Sequence, residues 1–380
     1  MDLESTPTPL LTAAGEVAVV AARCAPGAEA QRRLDPEVVK SLVAAGFPRH
    51  FVPAECGGDP GTFLELNRAV SAVGEGCTAT AWCASLAAHV SRMAAHLPAE
   101  GYREVWADGP DALLVASLTP AGRAEIAPGG YRVTGKWPFV SAIDHAEWAL
   151  LASTVDDGHA RVFAVPRSAW RTADTWTNVG MAATGSNTVS VEDVFVPAAR
   201  TVSRDDLFAG RATDSDAPCH AVPMQSTTMM FAVPALGAAK GALKSWVDHV
   251  TPRIRAAAAA PAPALPGMPT FNRAVHDVVL TRSAAEIDAA ELLLERAAVT
   301  ADRGPAITVP DTMRTWRDCA VATESLVAVV NRLFRAVGTT GQNSANPVQR
   351  FWRDVNSLAG HQGLQVESAS TAYAHQVIRV

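Results

Sequence analysis

The stretch GKWPFVS, residues 135–141, lies in a part of the chain that reads as β-strand rather than helix. Around it, short runs rich in valine, alanine and aromatic residues are separated by turns of glycine, proline and aspartate. The runs are ALLVAS (112–117), YRVTGKW (131–137), AEWALLAS (146–153), ARVFAVP (160–166) and NTVSVEDVFVP (187–197). This pattern predicts a compact antiparallel β unit.

The residues before this unit predict helices. Asp35 followed by Pro36 is typical of a helix start, and Gly46 is typical of its end. Thr62 and Glu65 have the spacing of a capping box, which predicts a second helix that stops near Gly74. A third helix is predicted from Thr78 to about residue 96, and a fourth over 98–106.

The residues after the β unit predict four long helices, at about 228–255, 270–301, 311–337 and 347–377. The proline-rich stretch AAAAAPAPALPGMP (256–269) separates the first two, since clustered prolines cannot continue a helix. Four amphipathic helices of this length bury their apolar faces by forming a bundle. One helix carries apolar residues that we expect to exceed what a single partner covers, and therefore to contact another subunit: Leu326, Val327, Val329, Val330 and Leu333.

The fold class that follows is α+β and mostly α. We predict an N-terminal helical domain over 1–110, a small central antiparallel β-barrel over 111–205, a linker over 206–225 and a C-terminal four-helix bundle over 226–380. Each unit is long enough to contribute to a buried core.

Composition excludes several classes of protein. The 380 residues are 48% hydrophobic and 18% charged, with a formal net charge of -6, which disfavours disorder and nucleic-acid binding. No apolar run approaches ~20 residues, so no membrane span is expected. The six cysteines are scattered without CxxC spacing and predict reduced thiols and no metal site. The start MDLESTPTPLL lacks the basic flank of a secretory signal, which predicts a cytoplasmic protein.

Several catalytic signatures are missing. GYRVTGK (130–136) begins like a phosphate-binding P-loop, but Trp137 stands where Ser or Thr would hold magnesium, and the run is a strand. The chain contains no GxGxxG between a strand and a helix, no GxSxG and no HExxH. Nucleotide hydrolysis, a Rossmann site, an α/β-hydrolase and a zincin are therefore disfavoured.

The order of helices, β unit and helical bundle resembles the acyl-CoA dehydrogenase fold family. GKWPFVS (135–141) is similar to the strand that lies beside the flavin ring in part of that family. TGSNT (184–188), followed by VEDVFVP (191–197), is similar to the stretch that closes its β domain. The dehydrogenases need a carboxylate base near the last helix, and TGQNSAN (340–346) contains no acid. Acyl-CoA dehydrogenation is therefore disfavoured.

The stretch NPVQRFWRD (346–354), with His361 seven residues later, resembles a branch of this family, the two-component (group D) flavin-dependent monooxygenases. The resemblance implies the oxygenase component of an aromatic hydroxylase. A separate NAD(P)H-dependent reductase would supply diffusible reduced FAD or FMN, which reacts with O2 to a C4a-hydroperoxide. That species would hydroxylate a phenolic, polycyclic or indolic small molecule. The resemblance also implies a homotetramer. The arginine that clamps the FAD diphosphate has no secure match, so FMN and FAD both remain open.

The same resemblance implies roles for individual residues. His361, Ser141 and His89 are the expected catalytic residues, and His89, Ser117 and His361 the expected substrate contacts. Ala142 stands where this branch often has glycine. The expected flavin contacts are Ser117, Thr119, Trp137, Phe139, Ser141, Thr184, Ser186, Gly338, Gly341 and Arg350.

Chemistry makes sense of two of these roles. A serine hydroxyl on a rigid strand can accept a hydrogen bond from flavin N5–H, which suits Ser141. A histidine with an ordinary pKa can take a phenolic proton, which predicts His361 as the general base. On a continuous helix Asp354 and His361 would share one face.

Alternatives remain for the residues and for the function. His96, seven residues after His89, could equally face the pocket; Ser117 could simply end a strand, and Arg350 could be a solvated surface charge. The same oxidising species could hydroxylate an amine nitrogen instead of a ring carbon. A dehydrogenase of the parent type and a flavin-free scaffold are the other candidates.

Overall fold

The structure, a computed structural model, describes residues 8–259 and 272–378. Its N-terminal region contains five helices among these residues: α1 (Pro9–Gln31), α2 (Pro36–Ala45), α3 (Phe63–Gly76), α4 (Thr78–Ala94) and α5 (Ala99–Val105). The predicted signals of α2 are confirmed. The Asp35 carboxylate accepts from the backbone N–H of Glu37, and Gly46 ends the helix at φ 93°, a left-handed conformation that favours glycine.

The start of α3 differs from the predicted capping box. The Thr62 hydroxyl accepts from the backbone N–H of Glu65, as predicted. The carboxylate of Asp302, far away in sequence, accepts from the N–H groups of Phe63 at 2.6 Å and Leu64 at 3.2 Å. A tertiary contact therefore satisfies the N–H groups at the start of this helix, which then continues to Gly76 instead of stopping at Gly74.

By length and composition alone, α1 is the one described helix that could cross a membrane. This differs from the expectation that the chain contains no such segment. In the structure Leu10, Ala14 and Val17 of α1 are buried in a core cluster that also contains residues of α3.

The β unit is a seven-stranded open sheet. Its strands are β1 (Leu114–Ala127), β2 (Gly130–Val140), β3 (Trp148–Val155), β4 (Ala160–Pro166), β5 (Arg171–Ala173), β6 (Asn187–Pro197) and β7 (Thr201–Ser203). Their order is β5-β6-β2-β1-β3-β4-β7. The predicted closed barrel is therefore wrong. The sheet is also not purely antiparallel, since β3 pairs parallel with β1. Strand-like runs identify strands but not their neighbours, and β3 returns to the far side of β1.

Close packing inside the sheet explains the glycine of the GKWPFVS stretch. The Trp137 side chain is fully buried, and its indole N–H donates to the carbonyl oxygen of Ala152 at 2.7 Å. A Cβ atom on Gly135 would approach the Trp137 ring to 2.7 Å, and one on Gly122 would approach it to 2.3 Å. Both positions therefore require glycine for steric reasons.

The segment predicted as a linker is ordered and packed. It contains α6 (Arg204–Ala209) and two short 3-10 turns at Pro218–Ala221 and Met224–Thr227. Leu207, Cys219, His220 and Val222 are buried. This segment covers the C-terminal half of α4, where it forms part of the core.

The C-terminal region contains α7 (Met229–Ala259), α8 (Arg273–Ala301), α9 (Val309–Val337), α10 (Pro347–Leu358) and α11 (Val366–Val377). The predicted single helix over 347–377 is wrong, because the chain turns between α10 and α11. The proline-rich break predicted at 256–269 lies mostly outside the described residues, as does the predicted start of α8.

The apolar residues expected to reach another subunit are mostly inside this chain's own bundle. Leu326, Val329, Val330 and Leu333 are buried, and Val327 is partly buried. That expectation is wrong for this face of α9, because α7, α8 and α11 pack around the helix. Exposed apolar side chains lie instead on α8, at Val275, Val278, Leu292 and Val299.

Candidate active site

Four distant parts of the chain meet at Trp82 of α4. Its indole N–H donates to the Ser141 hydroxyl, just after β2, at 3.1 Å. Its ring packs against Phe231 near the start of α7, with ring centroids 5.4 Å apart, and against the edge of His361 at 5.6 Å. The Phe231 and His361 rings lie 3.9 Å apart. The structure therefore brings together two of the predicted catalytic residues, Ser141 and His361.

The sequence predicts His361 within a helix. In the structure His361 lies in the turn after α10. Its Nδ1 accepts a hydrogen bond from the backbone N–H of Gly363 at 3.1 Å. A neutral imidazole has one N–H, so the proton must be on Nε2. Burial lowers the pKa of His361 to about 4, which keeps the ring neutral at pH 7. His361 can therefore donate a hydrogen bond from Nε2, but it is poorly placed to act as a base there.

Asp354 and His361 do not share a helical face as predicted, because α10 ends at Leu358. The Asp354 carboxylate accepts instead from the backbone N–H of Met181 at 2.6 Å. Burial raises the pKa of Asp354 to about 6. This contact attaches α10 to the loop between β5 and β6.

Three predicted flavin contacts form one row of hydroxyl groups. The Ser141 and Ser186 oxygens are 2.8 Å apart, and those of Ser186 and Thr184 are 2.6 Å apart. The Thr184 hydroxyl also donates to the carbonyl oxygen of Met181 at 2.8 Å. The backbone N–H of Ala142 donates to the Thr184 carbonyl at 2.8 Å, which fixes the end of β2 against this loop.

Phe139 and Trp137 lie on opposite sides of the strand end. Phe139 has φ 63°, an uncommon conformation for a bulky residue, and 72% of its surface is exposed. Its ring meets the edge of Trp176, with centroids 6.1 Å apart. Phe139 therefore presents an apolar surface two residues before Ser141, while Trp137 fills the sheet interior and contributes to the core.

Ser117 and Thr119 lie on β1, half-buried and exposed respectively. Within the described part of the chain, neither side chain has a hydrogen-bond partner. Their flavin and substrate roles stay predictions.

His89 lies two helical turns after Trp82, fully buried against the rings of Phe51 and Phe63. Neither ring nitrogen has a hydrogen-bond partner among residues 8–259 and 272–378. Burial holds the pKa of His89 well below its usual value. No described contact joins it to His361 or Ser141. The alternative histidine, His96, is also buried, and its Nδ1–H donates to the Arg92 carbonyl at 3.1 Å.

The remaining predicted flavin contacts lie elsewhere. Gly338 and Gly341 belong to a short turn after α9, where the Thr340 hydroxyl accepts from Arg253 of α7 at 2.9 Å. Arg350 is half-buried on α10, one turn before Asp354. The contacts of the described residues do not bring the two glycines to the Ser141 hydroxyl row.

Sequence reasoning missed Trp82 and Phe231. Trp82 precedes His89 by seven residues, so helical spacing puts both on one face of α4, and this signal was available. Phe231 carries no local signal, since its role depends on how α7 packs.

Comparisons with known proteins agree with this architecture. A family model described as the acyl-CoA dehydrogenase C-terminal domain matches residues 229–366. The oxygenase subunit HsaA of a flavin-dependent monooxygenase from Mycobacterium tuberculosis is 33% identical over 363 residues, covering 90% of this chain and 89% of that protein. This chain belongs to the oxygenase components of flavin-dependent monooxygenases.

Other oxygenase components are similar over nearly their whole length. The oxygenase component of an FADH(2)-dependent resorcinol hydroxylase from Rhizobium sp. is 31% identical, with 92% of this chain and 89% of that protein covered. The crystal structure of 3-HSA hydroxylase from Rhodococcus sp. RHA1 superposes with a TM-score of 0.91 at 28% identity, covering 98% and 97% of the two chains. XiaF from Streptomyces sp., solved with FADH2 and glycerol, gives a TM-score of 0.87 at 27% identity, with 97% and 94% covered.

Proposed function

We propose that this oxygenase component hydroxylates a phenolic or indolic ring, using O2 and reduced FAD or FMN delivered by a separate NAD(P)H-dependent reductase. The observation that carries the proposal is the convergence of Ser141 and His361 on Trp82. Relatives named for resorcinol hydroxylation and for indole-3-acetate oxygenation support this substrate class.

The residues around Ser141 fit a reduced flavin. Phe139, with Trp176 at its edge, offers an exposed apolar surface for a flat ring system, and the hydroxyl row begins two residues later. When bound, reduced flavin activates O2, so that one oxygen atom enters the ring, the other leaves as water, and the flavin becomes oxidised. Phe139, Ser141, Thr184 and Ser186 are the residues that would hold the ring.

Ser141 has the chemistry to hold a proton in place. Its oxygen can accept from an N–H group of the bound ring, and Ser141 itself is buried. A fixed hydrogen bond in a dry site keeps its proton from exchanging with solvent. Ser141 would thereby limit the loss of activated oxygen as hydrogen peroxide.

We assign His361 the role of a hydrogen-bond donor instead of the predicted base. Its Nδ1 is occupied by the Gly363 N–H, so only the Nε2–H can meet a substrate. Within the described residues this Nε2–H has no hydrogen-bond partner. Donation to the oxygen of a phenol would orient the ring and stabilise the negative charge that develops when the hydroxyl proton leaves. The aromatic rings of Trp82 and Phe231 would exclude water beside it.

We also propose a cytoplasmic homotetramer. Exposed apolar side chains on α8 support contact with further subunits. No described contact joins Gly338, Gly341 or Arg350 to the Ser141 hydroxyl, and we propose that they contact flavin phosphates or a neighbouring subunit. Light scattering at micromolar protein tests the assembly, and a monomer would contradict it. The domain limits given above stay predictions.

A single-turnover experiment tests the proposed function. The protein would be mixed with chemically reduced FAD or FMN, ¹⁸O2 and one compound from a panel of phenols, indoles and aromatic amines. We expect one ¹⁸O atom in a product from at least one compound, and none when protein is omitted. Complete conversion of O2 to hydrogen peroxide with every ring compound, including amines, would contradict it. Product from amines alone would support nitrogen hydroxylation.

A further inference from the structure

The hydroxyl row at Ser141 has a fixed direction. The Met181 carbonyl oxygen can only accept a hydrogen bond, so the single proton of the Thr184 hydroxyl, 2.8 Å away, must point to it. The Thr184 oxygen is then left to accept from Ser186 at 2.6 Å. The Ser186 hydroxyl proton is therefore donated to Thr184 and is not available to Ser141.

The same reasoning reaches Ser141. Because the Ser186 proton points to Thr184, the 2.8 Å contact between Ser186 and Ser141 must be donated by Ser141. The indole N–H of Trp82 can only donate, and it donates to Ser141 from the other side at 3.1 Å. Every proton in the row runs one way, from Trp82 to the Met181 carbonyl.

This direction leaves Ser141 with no proton to offer. Its oxygen has two lone pairs, one taken by the Trp82 N–H, and its own O–H is committed to Ser186. Towards any ligand, Ser141 is therefore an acceptor only.

The end of the row is held firmly. The Met181 carbonyl also accepts from the Trp176 indole N–H at 3.0 Å, and the Met181 N–H donates to Asp354 at 2.6 Å. These contacts fix the peptide groups on both sides of Met181, so the carbonyl cannot rotate to let the row reverse.

A flavin presents opposite groups in its two redox states. Reduced flavin has an N–H at N5, which donates, whereas oxidised flavin has a lone pair at N5, which accepts. We propose that Trp82, Ser186 and Thr184 are positioning residues that fix Ser141 as an acceptor, so that the site selects reduced flavin over oxidised flavin. The proposal rests on the proposed function, since it places N5 at Ser141.

Thr184→Val tests the direction with little change of shape. Without the Thr184 hydroxyl, Ser186 can turn its proton towards Ser141, and Ser141 can then donate to oxidised flavin. We expect the ratio of the Kd for oxidised flavin to the Kd for reduced flavin to fall by about tenfold, the scale of one hydrogen bond. Thr184→Ser keeps the hydroxyl and should leave the ratio within about threefold. Fluorescence quenching measures the oxidised form, and an anaerobic titration measures the reduced form.

A second variant covers the chance that Thr184→Val does not fold. Ser186→Ala removes the acceptor for the Ser141 proton and should lower the ratio to a similar extent. An unchanged ratio in either variant, with an unchanged melting temperature, would overturn the inference. Equal affinity of the wild-type protein for both flavins would also overturn it.

The binding ratio separates this inference from the proposed function. A wild-type protein that prefers reduced flavin, and whose variants lose that preference, supports the inference even when no panel compound is hydroxylated. That result would contradict the proposed substrate class alone. A protein that binds neither flavin contradicts both.

Discussion

Buried polar side chains around Trp82 and around Arg92 differ in how their hydrogen bonds are satisfied. At the N-terminal half of α4, Trp82 donates into a row in which each hydroxyl has a partner. At the C-terminal half and in the turn that follows it, His89, Arg92 and His96 are fully buried, and four of their nitrogen atoms have no partner among residues 8–259 and 272–378: Arg92 Nε, His96 Nε2 and both ring nitrogens of His89. We call this second region the basic end.

Arg92 shows the difference most clearly. Its guanidinium donates to the carbonyl oxygens of Cys219 at 3.3 Å and Val222 at 3.1 Å, and to the Met224 sulfur at 3.0 Å. Within the described residues it contacts no carboxylate. Burial lowers its pKa to about 10. A buried polar atom without a partner costs about 1–3 kcal/mol.

The comparison shows that burial alone does not decide whether a polar side chain serves ligand binding or lowers the stability of the fold. The Trp82 end commits every proton and leaves one acceptor open, which is the preorganisation that a ligand site requires. At the basic end four nitrogen atoms lack a partner, which lowers the stability of the fold. We therefore expect changes at the Trp82 end to alter chemistry, and changes at the basic end to alter stability.

Acid should produce the largest effect. Burial lowers the pKa of His96 to about 3 and of His220 and His361 to about 4, so the unfolded chain takes up protons below pH ~6.5 while the folded chain does not. Stability is thus lost as pH falls. The raised pKa of Asp354 has the opposite effect and offsets part of the loss. His89, whose pKa burial also holds well below the usual value, adds to the loss. We expect the free energy of unfolding to drop by about 6 kcal/mol between pH 7 and pH 5.

Urea unfolding at both pH values measures this drop. His96→Leu should reduce it by about 2 kcal/mol, because one proton-binding difference is removed. A drop that is the same in His96→Leu as in the wild type would show that the basic end does not contribute.

Arg92→Ala should lower the free energy of unfolding by about 3 kcal/mol. The substitution leaves the Cys219 and Val222 carbonyls without their donor and opens a cavity in the core. Lys40→Ala, at an exposed position, is the matched control and should change stability by less than about 0.5 kcal/mol. A loss below about 1 kcal/mol for Arg92→Ala would mean that water replaces the side chain.

His361→Ala should fold normally and lower hydroxylation by about 10²-fold, the usual scale for loss of a positioned catalytic group. His361→Gln retains an N–H donor and should lose less than about tenfold. Product formation at saturating reduced flavin measures both variants. Equal losses in Ala and Gln would favour the predicted base over the donor.

His89→Met should produce the smallest change in the free energy of unfolding, and the change should be an increase. The change removes two nitrogens without partners and places an apolar side chain against Phe51 and Phe63, for a gain of about 1 kcal/mol in the free energy of unfolding. Chemical unfolding with parallel hydroxylation assays checks it. A stable variant with strongly reduced turnover would support the predicted substrate role of His89.

Much of this fold could be predicted from local signals. Asp35, Pro36 and Gly46 set the ends of α2 by their own chemistry, and the strand runs mark five of the seven strands in the sheet at least in part. Pairing could not be predicted, because the parallel contact of β1 with β3 depends on the path of the chain after β2. The cap of α3 by Asp302 is equally a matter of tertiary packing.

Some residues of the candidate site follow from the sequence, but their hydrogen bonds do not. Ser141, Thr184 and Ser186 follow from the stretches that resemble the family, and the structure joins them. The state of His361 depends on the Gly363 N–H, a contact that exists only because α10 stops at Leu358. Gly360 was a signal for that stop.

The most direct test of the account is the coupling of Ser141→Ala. A generic flavin reductase would supply reduced flavin, and hydrogen peroxide released per NAD(P)H consumed would be measured with a compound that the protein hydroxylates. Loss of the acceptor should cost about 1–3 kcal/mol, so peroxide should rise several-fold even when reduced flavin is saturating. Unchanged coupling in a variant of wild-type thermal stability would contradict the central claim that Ser141 accepts from N5–H.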